Sequence, residues 1–336
     1  EQLIITYDQE KLGSFEVNGY GEPSISDDLL RKTLPYLTYV TPFTYGLTQS
    51  GSLVMLNDNH MIDIAKEYDT APLMHLSTLT EKGNFDSARA SIVLNNQMIQ
   101  DKLIDEIIEN MNDKGYYGLD VDFEFINKQD AEKYAAFISN LRSRLNPLGY
   151  EVITALAPKI SAMQRGTIYE GHLYKEIGIA SNAVFVMTYE WGYTYGPPQA
   201  VSPLPNVRAV LDYAVSEIPR EKIFMGISNY GYDWTLPFEK GDKARSISND
   251  EAIKLAIQYG AEIQYDETAQ APYFHYYDKR GREHVVWFED ARSIQAKLAL
   301  IPEYGLRGAG YWNIMRPYQQ GWTVLNSLYH IKRISE

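Results

Sequence analysis

Tyr117-Gly118-Leu119-Asp120-Val121-Asp122-Phe123-Glu124 alternates apolar and acidic residues with a period of two, the pattern of a strand. Leu119, Val121 and Phe123 share one face. Asp120, Asp122 and Glu124 share the other, successive acids about 6.6 Å apart along the chain. Ahead of the strand, Met98, Leu103, Ile104, Ile107, Ile108 and Met111 lay an apolar stripe at helical spacing, and Gly115 follows where a helix stop belongs. A helix running into a strand suits a parallel sheet, whose strands are covered by helices. The apolar face can then meet helices while the acids point into a barrel, with Asp120 deepest and Glu124 at the carboxyl end, where barrel active sites lie. Crowded in a low-dielectric interior, three carboxylates cannot all be ionised, so at least one holds a proton near neutral pH. The plainer alternative is an edge strand with solvated acids. It leaves unexplained why the strand follows a helix and why the acids end at a loop.

Working outward, apolar runs of strand length recur at Leu3–Tyr7, Tyr39–Thr44 and Leu73–Ser77 before this one. Val152–Ala157, Ala183–Thr188, Ile223–Ile227 and Gly308–Trp312 follow it. Helical patterns such as Asp130–Leu145 and Asp290–Tyr304 lie between them. Strand then helix, eight times over, predicts an α/β fold, a (β/α)8 TIM barrel spanning residues 1–336. Between the seventh and eighth strands lie about eighty residues, more than one crossover helix needs. Within them Ser248–Gly260 reads as a helix and Glu262–Tyr265, Tyr273–Asp278 and His284–Phe288 as strands, with a hairpin turn at Lys279-Arg280-Gly281. A small α+β insertion over residues 239–289 is expected there.

Composition agrees with a folded chain: 45% hydrophobic and 22% charged residues exclude collagen-like and low-complexity classes. Against 31 Lys and Arg stand 44 Asp and Glu, and a net charge of -13 repels phosphate backbones, so nucleic acid is not an expected partner. The absence of cysteine removes disulfides and thiolate chemistry. Apolar stretches such as Ile153–Pro158 and Ala183–Met187 fall far short of the ~20 residues of a membrane helix. The chain opens at Glu1 without an initiator Met or a basic-then-apolar leader, and so reads as a mature or excised segment whose export signal lies outside it. Tyr, at 27, outnumbers Phe, at 11, a composition suited to surfaces that stack on sugars and also hydrogen-bond. Gly19-Tyr20-Gly21 and Gly308-Ala309-Gly310 read as turn and strand glycines rather than phosphate cradles. The histidines, 60, 75, 172, 275, 284 and 330, show no ligand spacing, so no metal and no cofactor is implied.

The acidic strand resembles the DGxDxDxE-like run of glycoside hydrolase family 18, the chitinase-type barrels, with Tyr117 in place of the usual Asp before Gly118. Met187-Thr188-Tyr189 resembles the family's MxY element, although Glu190 stands where Asp is more usual. Tyr230-Gly231-Tyr232-Asp233-Trp234, Gly310-Tyr311-Trp312 and Phe288-Glu289-Asp290-Ala291-Arg292-Ser293-Ile294 are similar to further family elements, so the resemblance covers essentially the whole chain. Within the family, Met187–Tyr193 with Gly196-Pro197-Pro198, and Tyr232–Pro237, look most like the bacterial spore-cortex-lytic N-acetylglucosaminidases.

That resemblance implies substrate-assisted hydrolysis, in which the sugar's own 2-acetamido oxygen attacks the anomeric carbon. Glu124 would protonate the leaving oxygen, Asp122 would bind the acetamido N–H, and Asp120 would share a proton with Asp122. Tyr189 would hold the acetamido oxygen, and Trp312 would floor the reacting sugar. Met187, Tyr230, Asp233, Trp191, Phe43, Tyr45, Tyr7 and Asn313, at or near carboxyl ends of predicted strands, are candidate substrate contacts, each with ordinary packing as its alternative. The implied partner is an N-acetylglucosamine-containing glycan, peptidoglycan or chitin-like, met outside the cell, in the wall or on the spore. Wall-binding modules of the LysM kind often accompany such enzymes; none is visible in this chain. A retaining β-N-acetylglucosaminidase acting on cell-wall or spore-cortex peptidoglycan is the leading expectation. A chitinase or chitooligosaccharide hydrolase shares its chemistry. A sugar-binding barrel without activity is the third reading, opposed by the intact Glu124.

Overall fold

The computed structural model describes residues 10–80 and 83–334. Eight parallel strands close on themselves: Ser14–Gly21, Tyr39–Pro42, Ala71–Ser77, Gly118–Asp122, Glu151–Leu156, Ala183–Val186, Ile223–Ser228 and Gly308–Trp312. The eighth pairs with both the seventh and the first, Trp312 lying opposite Tyr20 and Ser228, so the barrel has no open edge. The architecture is the (β/α)8 barrel read from the sequence.

Its first strand is a correction. Leu3–Tyr7 lies outside the described residues, and the first barrel strand is Ser14–Gly21. This strand is hard to recognise because its residues facing the barrel axis are polar or hydroxyl-bearing: Glu16 and Asn18 accept from Tyr39 and Thr41 of the neighbouring strand, and Tyr20 bonds across the interior to Asp120. Gly19 and Gly21 look like turn residues, yet they mark close packing. A Cβ at Gly19 would come within 2.8 Å of both Ile314 and Leu37.

Helix Gln97–Lys114 carries the stripe expected ahead of the fourth strand. Leu103, Ile104, Ile107 and Met111 are buried, whereas Met98, in the first turn, faces solvent. Asn96 caps its amino end through Ile99 N–H, and Gly115 ends it in the left-handed conformation at φ 72°. Strand Gly118–Asp122 is buried along its whole length, with Leu119 and Val121 in the outer core beneath the helices. The acids therefore face inward.

Between the seventh and eighth barrel strands the chain builds a five-stranded antiparallel sheet of Gly231–Thr235, Arg245–Ile247, Gln264–Asp266, Ala271–Tyr277 and Glu283–Trp287. Helix Asn249–Tyr259 packs on it, and Ile247, Ala252, Ala256, Phe274, Val286 and Phe288 make a separate small core. The sheet includes Gly231–Thr235, ahead of the 239 boundary read from sequence. Glu289 and Lys297, each 1% exposed and 2.8 Å apart, lie where the chain returns to the barrel.

Candidate active site

The fourth strand ends at Asp122, and the chain turns sharply just beyond it, with Phe125 at φ 55°. Asp120 is fully buried; its Oδ2 accepts the Tyr20 hydroxyl at 2.6 Å. Asp122 is 6% exposed, and Oδ2 lies 3.6 Å from His75 Nε2, while Thr44 Oγ1 is 2.6 Å from His75 Nδ1. The Oδ1 atoms of Asp120 and Asp122 have no hydrogen-bond partner among the described residues. Glu124 emerges half-buried into a cleft of 460 Å³.

Burial pushes the Asp120 carboxyl up to about 6 against the opposing pull of His75 and the Tyr20 hydrogen bond, and the charge of Asp122 adds to the rise. Burial also drives Glu124 well above the usual carboxylate range, reinforced by Asp122 and then Glu190. A carboxyl in that state keeps a proton to give. The Tyr189 hydroxyl, held well above its ordinary value by burial and the surrounding carboxylates, stays protonated.

Aromatic rings shape the rest of the cleft. Phe43 meets Trp312 edge to face at 4.9 Å between ring centres, and Tyr20 lies against Phe185 at 5.0 Å. Met187, Tyr189, Phe43 and Trp312 all line the cavity with Asp122 and Glu124. Asp120 lies beneath it.

The structure does not bring the other candidates there. Tyr45 is wholly buried behind the barrel, its hydroxyl against Asp58 at 3.0 Å and Lys114 at 2.7 Å. Asp233 belongs to the antiparallel sheet, bonded by Tyr276 and His284 at 2.8 Å each. Trp191 packs partly buried against the outer core. Asn313 accepts the Met315 N–H at 3.1 Å and so closes the turn after the eighth strand. Each answers a local packing or hydrogen-bonding demand invisible in a linear sequence. Tyr7 lies outside the described residues.

Tyr230 acts at one remove: with Tyr232, at 2.9 Å, it donates to Glu190. Glu190 itself lines the cavity at φ 68° and was not among the candidates. It is open to solvent along the cleft, although enclosing walls raise its carboxyl, and the two tyrosine bonds counter that rise. Tyr20 and His75 were also passed over. The first looked like a turn residue, and the second lacked any sequence neighbour to suggest a role. The polar alternation of Glu16, Asn18 and Tyr20 was the available signal for Tyr20.

Residues 33–316 match the family Glycosyl hydrolases family 18. The chain belongs to glycoside hydrolase family 18. It is therefore a glycosidase on a family 18 barrel. It is 43% identical over 323 residues to the cortical fragment-lytic enzyme of Bacillus subtilis (strain 168), covering 94% of this chain and 75% of that protein. The crystal structure of the Bacillus cereus spore cortex-lytic enzyme SleL superposes with a TM-score of 0.93 at 39% identity, over 97% of this chain and 76% of the other. That of the Bacillus megaterium QM B1551 spore cortex-lytic enzyme SleL gives 0.92 at 42%, over 96% and 76%. Within a family 18 chain, a ladder of three acids rising from the barrel interior into an aromatic cleft can donate a proton at its top and take up positive charge below it.

Proposed function

We propose that this family 18 glycosidase is a retaining β-N-acetylglucosaminidase that hydrolyses cell-wall or spore-cortex peptidoglycan outside the cell, using the substrate's acetamido group as nucleophile. The observation that carries the reading is the ladder Asp120, Asp122 and Glu124 opening onto the Trp312 cleft, in a chain so similar to a cortical fragment-lytic enzyme. Glu124 gives its proton to the glycosidic oxygen as the acetamido oxygen attacks the anomeric carbon and the glycosidic bond breaks. Asp122 accepts the acetamido N–H and stabilises the oxazolinium, sharing a proton with Asp120 beneath. Tyr189 holds the acetamido oxygen; Trp312, Phe43 and Met187 contact the sugar. Water then attacks the same carbon from the opposite face, breaking its bond to the acetamido oxygen and giving a proton to Glu124, so that two inversions retain the configuration.

Glu190 favours a second reading, because it sets another carboxylate on the same cleft and could serve as nucleophile in a two-carboxylate mechanism. A thiazoline that mimics the oxazoline separates the two. It should inhibit, and 2-hydroxy analogues of the substrate should be inert; efficient cleavage of those analogues would transfer the nucleophile's role to Glu190. Side-by-side digestion of cortex peptidoglycan and chitin, with mass spectrometry of the products, tests the glycan. Faster release from chitin would make the chain a chitinase.

A further inference from the structure

His172 stands far from the acidic strand in sequence, yet it is fully buried against the peptide unit that leads into Glu124. Its Nδ1 accepts the Ala157 backbone N–H at 2.9 Å, so the ring proton is on Nε2, which donates to the Phe123 carbonyl at 2.9 Å. That carbonyl belongs to the peptide unit leading into Glu124. Burial keeps the imidazole below its usual value, consistent with a neutral ring of fixed tautomer. The same segment touches the acid loop at other points. A Cβ at Gly171 would lie 2.4 Å from Ile126 Cβ and 2.5 Å from its carbonyl oxygen, and Glu170 pairs with Lys128 at 3.3 Å. Lys159 Nζ holds the His172 carbonyl at 2.9 Å, and Ile168 and Tyr169, just upstream, line the cleft itself.

We propose that His172 is a positioning residue for Glu124: as a neutral imidazole it ties the end of the fourth strand to the end of the fifth and fixes the backbone from which the acid projects. The turn at Phe125 leaves that backbone with little regular structure beyond Asp122. A tie at Phe123 supplies the constraint that the strand no longer gives. Displacing a proton donor by about 1 Å can cost on the order of 100-fold in rate, so the bond to Phe123 governs turnover more than binding. The proposal rests on Glu124 being the acid.

Two substitutions separate the halves of the tie. His172→Gln can set its amide nitrogen where Nε2 lies and keep the donor to Phe123. His172→Asn can set its amide oxygen where Nδ1 lies and keep only the acceptor for Ala157. With thermal melts recorded for both, His172→Gln should hold kcat within about threefold and His172→Asn should lose about 10- to 100-fold at unchanged KM, whatever their shared loss of stability. Gly171→Ala, which leaves His172 intact and pushes the segment off Ile126, should lower kcat in the same way. Equal kcat in the Gln and Asn variants, or a kcat that merely follows Tm, overturns the positioning role. Glu124→Gln measured alongside distinguishes the two failures: an active Glu124→Gln removes the acid assignment, whereas an inactive one beside fully active His172 variants removes only the tie.

Discussion

At the scale of single residues, the proposed reaction turns on protonation. Glu124 is held protonated by burial and by the neighbouring charges of Asp122 and Glu190. Glu124→Gln is expected to keep glycan affinity while losing about two to four decades of kcat, the usual contribution of general acid catalysis. Activity should fall as pH rises past the Glu124 pKa. Glu190→Gln withdraws one of the charges that raise it, so the alkaline limb of the kcat/KM profile should move to lower pH; an unmoved or upward-shifted limb refutes the coupling. Asp120 carries a stability consequence of its own. Its folded value of about 6 exceeds its unfolded 3.8, so the folded state binds the extra proton between them, and stability is lost as pH climbs through that window. Asp120→Asn keeps an acceptor for Tyr20 and removes the buried charge. Its Tm should exceed that of the native protein above pH 7 and converge with it near pH 4, while activity drops; melts at the two pH values check this.

At the scale of elements, the antiparallel sheet joins the barrel through a buried ion pair. Glu289 Oε2 meets Lys297 Nζ, and the Glu289 backbone N–H donates to Asn249 Oδ1 at 2.8 Å, so one residue links the barrel helix Ala291–Leu298 to the added module. Burial raises the Glu289 carboxyl, and Lys297 opposes that rise. Lys297→Met strands a carboxylate without its cation and should cost about 3–5 kcal/mol. Glu289→Gln combined with Lys297→Met should recover most of it, because no uncompensated charge remains. Denaturant melts of the single and double variants give the answer, and equal losses in both would show that packing volume rather than charge holds the junction.

For the whole molecule, closure of the barrel is secured at the end away from the cleft by Arg307. It bonds Glu16 of the first strand at 2.8 Å and Glu151 of the fifth at 2.9 Å, and its guanidinium lies 5.2 Å from the Phe224 ring centre. Tyr39 of the second strand also donates to Glu16 at 2.9 Å. Four strands therefore converge on one cation. Arg307→Met leaves two partly exposed carboxylates without their cation, Glu16 keeping only its Tyr39 bond, and should cost about 1–3 kcal/mol. Because the cluster is remote from Glu124, kcat measured well below the transition should hardly change. A large kcat loss without a Tm loss would contradict this division between a stabilising floor and a reactive rim.

The sequence by itself determined the periodic features: the inward acids of Asp120, Asp122 and Glu124, the helix that precedes them with its Gly115 stop, and the count of strands that makes a barrel. These follow from local alternation and spacing, which a chain displays whatever its neighbours. Phe43 was also legible from its place at the end of a recognisable strand, whereas Met187, Tyr189 and Trp312 were marked only by the family resemblance of the segments that hold them. Tertiary structure alone decided which side chains converge across the closed sheet. It brought Tyr20 to Asp120 across a separation of 100 residues and turned Glu190 onto the cleft beside Glu124. It sent Tyr45 behind the barrel to Asp58 and kept Asp233 within the added sheet. The first strand was missed for the same reason: its inward face is polar because partners from other strands satisfy it. Hydrogen-bond satisfaction is a property of the assembled interior, and no stretch of one strand contains it.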